Sequence, residues 1–503
     1  MSFATISIRA TRPGVAIEVF PATVNGKRQA GGSLFTAVRS GLLAVLMAGP
    51  LAFGAVEAWA WGAMAVTVTC LLMIWAAGCV RAGAVRLIWS PFYVPALAFL
   101  ALAAIQYWGR FTMDPIGTRE AMIKSVMYIV IFFLTQHLFV RPPELSSQEQ
   151  QVNGNQQQAR RATGRGKRKA GNGILWPWAA AMYVFAMATF AIIQFFASPG
   201  LLYGTIKPRW GGYIFGPYVS HNHYAGLMEM LIPIAAAGVL SLRAKHPARP
   251  FVLFAMLIAI LSVFLSGSRG GTIALTVEFA IFAAVMLCAG RAGIQAGEYG
   301  KRVTGKVLAA ASAVLVVAGL SFSWLDPGDT WKRWQQTANA PELAVADRIT
   351  LAKDSLRLAR QHLGYGVGLG AFEVAFPKYQ TLVTDAVIDY AHNDYAQLAA
   401  EAGLLGWIVV PPSLVVFLWL AFQPLYRSSR SADHRMIRAS DGAWLQLGAA
   451  IGVCGLLVHS LSDFNLHIPA NAAWFAFCFA LATPVPARKS RRGPVPLNQE
   501  FSD

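Results

Sequence analysis

The sequence predicts an all-α, polytopic transmembrane helical bundle, and three observations predict it. Of 503 residues, 56% are apolar and 13% charged, against about 25% charged in a soluble chain. The apolar residues gather in about twelve runs of some 20 residues, the length that spans ~30 Å of hydrocarbon as a helix. Basic residues, 42 Lys and Arg against 24 Asp and Glu, fall mainly between alternate runs. In lipid a helix satisfies its own backbone polar groups, so each run reads as helix.

The runs lie at 34–54, 58–80, 89–107, 120–140, 174–197, 222–242, 250–266, 271–289, 305–325, 394–423, 442–461 and 466–484. Pro50 blurs the boundary of the first pair, and a polar turn divides the last. Residues 1–33 lack a continuous apolar stretch after their basic positions and read as a cytoplasmic tail, not a cleaved signal. The expected layout is tail 1–33, nine helices over 34–325 with a basic loop at 141–172, a large outer loop 326–393, three helices over 394–484 and a basic tail 485–503. With the N-terminus inside, 29 of the 42 basic residues face the cytoplasm and 13 face out. Seven of those 13 sit in the long outer loop, a class that carries little topological weight. Both ends are therefore expected in the cytoplasm.

A net charge of +18 would suggest nucleic acid in a soluble chain. Here the run Arg160, Arg161, Arg165, Lys167, Arg168 and Lys169, set among Gln, Asn and Gly, reads as a loop that fixes topology and meets anionic lipid. No aromatic interleaving supports nucleic-acid binding. The five cysteines (Cys70, Cys79, Cys288, Cys454, Cys478) lie in apolar stretches without metal spacing or a disulfide framework.

Polar residues collect at the outer ends of the runs. The segment from Lys207 and Arg209 through Tyr218, His221, Asn222 and His223 has two readings: a rim of cations and imidazoles, or a Gly/Pro loop with an interfacial aromatic belt. Ser266-Gly-Ser268-Arg269-Gly270-Gly271 squeezes an Arg between two apolar runs, where a cation needs water, a carboxylate or an anion. Its spacing is not that of a P-loop. In the long loop, Asp347 and Arg348 open an amphipathic helix with apolar Ile349, Leu356, Ala359 and Leu363, suited to the membrane surface. Gly364, Gly366, Gly368 and Gly370 follow as a turn of free backbone rather than a phosphate cradle. His392-Asn393-Asp394 then leads into Gln397 and Glu401; His392 reads either as a cap or as a base oriented by Asp394 or Glu401. His459, Asp463 and His467 form another polar turn. Glu229 and Glu278 lie deeper, as partners of buried donors or marks of an ion path.

These residues resemble the superfamily of bacterial O-antigen ligases and polymerases over about 40–484. His392-Asn393, nine residues and then Gly403 is similar to the ligase signature. Ser268-Arg269-Gly270-Gly271 looks like the superfamily's Ser-Arg-Gly-Gly turn, and Gly216-Pro217-Tyr218 through Gly226 is similar to a loop of its exopolysaccharide-associated members. The resemblance implies a GT-C-type glycosyltransferase in the bacterial inner membrane. It implies an undecaprenyl-diphosphate-linked glycan as donor, a saccharide acceptor (lipid A core or growing polysaccharide), and neither cofactor nor metal. Under it, Arg269 and His392 are the expected catalytic residues. Arg209, Arg348, Lys207, His221, Asn222, His223, Ser268, Asn393, Asp394 and Tyr218 are the expected donor contacts. Ligase and polymerase stay open, as does transfer to protein. A secondary transporter and a non-catalytic subunit of a polysaccharide export system are the alternatives from other classes; the ~68-residue outer loop and the lack of a visible inverted repeat count against the transporter.

Overall fold

A computed structural model describes residues 17–19, 32–83, 85–140, 175–208, 213–242, 246–291, 345–384, 387–430 and 441–483. Thirteen helices carry nearly all their regular structure: α1 (Gly32–Leu51), α2 (Ala58–Ala82), α3 (Tyr93–Trp108), α4 (Pro115–Leu138), α5 (Leu175–Ala197), α6 (His221–Ser241), α7 (Arg249–Ser266), α8 (Arg269–Arg291), α9 (Val345–Gln361), α10 (Phe372–Ala375), α11 (Asp394–Arg430), α12 (Asp441–His459) and α13 (Pro469–Ala482). One small antiparallel ribbon pairs β1 (Ile17–Val19) with β2 (Val85–Leu87). Eleven of the twelve expected spans coincide with helices, and 305–325 lies outside the described residues. Among the described helices nine are long and apolar enough to cross a membrane; α3 and α13 are apolar but shorter.

Local chemistry sets the helix starts. Asp114 caps α4 by accepting the Ile116 N–H (3.0 Å), with Pro115 supplying a preset first turn. Ser220 caps α6 through the Asn222 N–H (3.3 Å). Helix α6 is the centre of the bundle, with 83% of its most apolar 18-residue stretch buried, whereas α11 is buried at its start and only 11% buried over its apolar stretch. The closest partner of α6 is α12, whose Gly448 and Gly452 meet it backbone to backbone. A Cβ on Gly448 would lie 2.6 Å from the Pro233 carbonyl oxygen, and one on Gly452 2.8 Å from Met230 Cα. Small residues four apart allow helix approach where lipid supplies no hydrophobic drive.

The helix ends sort into two groups. At one end the Tyr203 hydroxyl binds the Leu51 carbonyl, the Met113 N–H binds the Val367 carbonyl and the Asp394 N–H binds the Ser460 carbonyl. At the other, Gln136 Nε2 reaches the Ala480 carbonyl and Thr483 Oγ1, each at 2.7 Å. The polar clusters of the sequence lie at the first end.

The loop segment packs as protein rather than only lying on a membrane. In α9, Leu351, Leu358 and Ala359 join one buried cluster with Ala396, Ala399 and Ala400 of α11 and with Phe372 and Phe376. Of the expected apolar stripe, Ala359 is buried, while Ile349, Leu356 and Leu363 stay exposed on the outward side. The reason is a second apolar face, offset from the first, which the sequence reading did not separate.

Backbone contact also explains the glycine run. Gly403 interrupts α11 at φ 58, ψ −153, a conformation open in practice to glycine alone. A Cβ there would lie 2.6 Å from the Gly366 nitrogen and 2.7 Å from the Gly364 carbonyl oxygen. The Val367 N–H donates to the Ala400 carbonyl (2.9 Å) and the Leu404 N–H to that of Leu363 (2.7 Å). Gln106 ties this strap to the bundle, donating to the Glu401 carbonyl (2.8 Å) and accepting from the Leu369 N–H (3.0 Å). Gly403→Ala is expected to cost about 1–3 kcal/mol through its backbone conformation alone, read as a lower unfolding temperature of the solubilised protein.

Candidate active site

The turn between α12 and α13 gathers the titratable side chains. Asp463 is 1% exposed, and two imidazoles face its Oδ1: His392 Nδ1 at 3.6 Å and His223 Nε2 at 3.9 Å. Both rings also stand edge-on to Phe464, with centroids 4.8 Å and 4.7 Å away, and Tyr390 stacks on Phe464 at 4.3 Å. One aromatic platform thus sets both histidines against one carboxylate. Burial works against ionisation of Asp463, yet facing His392 and the charges of His223 and Arg348 hold its carboxyl well below the ordinary range. Neither His392 Nδ1 nor His223 Nε2 has a hydrogen-bond partner among the described residues, nor has Asp463 Oδ2.

His392 reaches this place through an unusual backbone, φ 47. A non-glycine residue in the left-handed region signals that its surroundings fix it there. Asn393 anchors the next step: its Oδ1 accepts the N–H groups of Tyr395 (3.0 Å) and Ala396 (2.9 Å), capping α11, while its Nδ2 donates to the Leu461 carbonyl (2.8 Å). Asn393 therefore joins the start of α11 to the turn that carries Asp463.

The predicted orienting carboxylates are engaged elsewhere, which corrects that expectation. Asp394 Oδ1 pairs with His467 Nδ1 at 2.7 Å, and Glu401 accepts from Gln397 Nε2 and the Gly370 N–H, each at 3.0 Å. In a helix, Asp394 and Glu401 follow the direction of α11 inward, whereas His392 precedes the cap and turns toward the neighbouring loop. Asp463, 71 positions further on, faces His392 instead.

Cationic groups border the same turn. Arg348, near the start of α9, donates from Nη1 to the Ser462 carbonyl at 2.6 Å. Arg269 is the first residue of α8, half-buried beside its cap. Ser268 Oγ accepts the Gly271 N–H (3.0 Å) and donates to Asn222 Oδ1 (2.8 Å). A Cβ on Gly270 would lie 2.8 Å from Ser462 Oγ, so the Arg269 turn and Arg348 border one another across Ser462. The starts of α6, α8 and α11 also lie here, and helix N-termini carry partial positive charge. The arrangement can hold an anion beside a base.

Other expected site residues have structural partners. His221 Nδ1 bonds the Ser266 carbonyl at 2.7 Å, and the buried Tyr218 hydroxyl bonds Asn471 Oδ1 at 2.8 Å. Lys207 is exposed beside the Leu202–Ile206 bridge. Arg209 lies outside the described residues. Sequence reading gave too little weight to Asp463, Phe464 and His459. Their signal was a polar turn, His459-Ser-Leu-Ser-Asp463, flanked closely by two apolar runs.

His467 carries a testable consequence. Burial opposes its protonation, but the bonded Asp394 raises its pKa above the ordinary imidazole value. A raised folded pKa gives stability that is complete below about 6.5, the unfolded value, and lost as pH rises through the folded one. The unfolding temperature of the solubilised protein is expected to fall as pH rises above neutral, and to fall less in Asp394→Asn.

Residues 254–410 match the family model Wzy_C, described as O-antigen ligase. The match supports the O-antigen ligase and polymerase superfamily and an O-antigen ligase-like function in general. It spans the Ser268–Gly271 turn, Arg348 and the stretch from His392 to Gly403; Glu229, His459 and Asp463 lie beyond it. No curated protein matches the chain.

Proposed function

We propose that this chain, which the family match places with the O-antigen ligases over residues 254–410, moves a glycan from undecaprenyl diphosphate to an acceptor sugar, at the bundle end that carries Asp463, on the periplasmic side of the inner membrane. The observation that carries the reading is the meeting of His392 and His223 on buried Asp463, with the Arg348 and Arg269 segments bordering the same turn. Anion-holding and proton-accepting groups thereby stand together at one end of a membrane bundle.

In this reading the acceptor hydroxyl oxygen attacks the anomeric carbon, the bond from that carbon to the diphosphate oxygen breaks, and its electron pair leaves with the lipid diphosphate. Arg269 and Arg348 stabilise the charge that develops there, as preorganised guanidinium groups do for phosphoryl oxygens. The acceptor's proton passes to His392. With a side chain 23% exposed against 10% for His223, His392 is the imidazole open to a substrate. Asp463 stabilises the imidazolium formed. Asn393 and Ser268 hold the two segments, while Asn222 braces the Arg269 turn.

A transporter would draw on the intramembrane carboxylates. Among the described residues Glu229 is bonded to His459, while both carboxylate oxygens of buried Glu278 lack a hydrogen-bond partner. The two readings separate in proteoliposomes of the purified chain supplied with lipid-linked glycan and a candidate acceptor. Growth of the acceptor with release of undecaprenyl diphosphate is the expected result. Gradient-driven uptake without transfer would overturn the proposal.

A further inference from the structure

The geometry points to the buried His459–Glu229 pair as a positioning device for Arg269; this rests on the reading of Arg269 as a diphosphate-binding group. His459 ends α12 and Glu229 lies more than two turns into α6, and both side chains are fully buried. His459 Nδ1 and Glu229 Oε1 stand 2.8 Å apart. The pair touches the backbone of the two residues that follow Arg269. A Cβ on Gly270 would lie 2.5 Å from His459 Cδ2 and 2.6 Å from its Nε2. One on Gly271 would lie 2.6 Å from Ala225 Cβ and 3.0 Å from Glu229 Oε1.

Such proximity makes the first turn of α8 follow the imidazole. Packing between rigid groups transmits small displacements instead of absorbing them. A buried carboxylate and imidazole are costly in a bilayer, and apolar residues of similar volume would fill the same space at no such cost. What the ionisable pair adds is direction: a 2.8 Å bond fixes the ring plane, and the ring fixes Gly270. The same ring's residue also holds Ser462, whose N–H donates to the His459 carbonyl at 2.9 Å and whose own carbonyl accepts from Arg348. Both guanidinium-bearing segments therefore hang from one buried residue. Bidentate grip on a diphosphate depends on aim to within about 0.5 Å, so loosening this support weakens phosphate recognition before it weakens the fold.

The test measures binding of undecaprenyl diphosphate and undecaprenyl monophosphate to purified full-length protein in detergent, with the unfolding temperature recorded for each variant. Wild type is expected to prefer the diphosphate. Glu229→Leu and Gly270→Ala are expected to lose that preference at least tenfold, and to lower kcat in the same direction as Arg269→Ala but by a smaller factor. Glu229→Gln, whose amide oxygen still accepts from Nδ1, is expected to retain it. If Glu229→Leu does not fold, Gly270→Ala carries the test from a half-exposed turn. Loss of preference in Arg269→Ala together with wild-type preference in Gly270→Ala or Glu229→Leu overturns the positioning role alone. Preference kept by Arg269→Ala overturns the diphosphate reading itself. A Glu229→Gln variant as impaired as Glu229→Leu also rejects the positioning role, because the hydrogen bond would then not be what matters.

Discussion

Arg269→Ala is expected to lower glycan transfer by about 10²–10³-fold, the usual cost of removing one preorganised donor from a developing anion, with the folded yield and unfolding temperature near wild type. The second half of that expectation comes from the cap. Helix α8 begins on Ser268, whose Oγ accepts the Gly271 N–H and donates to Asn222. Arg269→Ala leaves these cap bonds in place, and alanine is a good residue at the first helical position. A rate loss at wild-type folded yield and unfolding temperature then belongs to the guanidinium. Arg269→Lys keeps the charge but loses the planar fork that matches phosphate oxygens, so its rate is expected between those of alanine and wild type. Initial rates in proteoliposomes at saturating donor decide the matter, and a near-normal rate for Arg269→Ala would remove it from leaving-group stabilisation.

Much of this fold can be read from sequence because lipid imposes one dominant rule. A run of apolar residues that must satisfy its own backbone becomes a helix, and eleven expected spans do so, ten of them within five residues of their predicted ends. Contacts across the chain are harder to read. Nothing in the spacing around His392 reveals that a carboxylate 71 positions later, rather than one two positions later, will face it. Asp394 looked like the partner because it is near in sequence, but α11 turns it toward His467. The glycines had a similar ambiguity: Gly366 reads as part of a turn, and only the fold shows that it leaves room for the Glu401 and Ala402 backbone while Gly403 leaves room for its own. The long loop misled for another reason. One apolar stripe in α9 was visible, while the one that packs on α11 begins at Leu351 and shares Ala359 with it. By contrast, the Ser268–Gly271 turn was legible, because a cation between two apolar runs is costly enough to need a reason.

Asp463→Ala is expected to lower transfer by about 10²–10⁴-fold, the contribution of a positioned proton acceptor, because it deprives both His392 and His223 of the carboxylate they face. Asp463→Asn sharpens the argument through pH. With its pKa held well below the ordinary range, Asp463 stays ionised throughout the physiological window. Removing the charge by Asp463→Asn makes the protonated imidazole less favourable, so the acid limb of the rate profile is expected to move to lower pH while the plateau falls. Unfolding cannot imitate this shift. A depressed carboxyl pKa gives stability that is complete above about 3.9, the unfolded value, and lost only as pH falls through the folded one. Between pH 5 and 8 the stability contributed by Asp463 is therefore constant, and a displaced acid limb in that window is chemistry at the imidazole. An unmoved limb with an unchanged plateau would separate Asp463 from proton transfer and leave it a structural anchor for the turn.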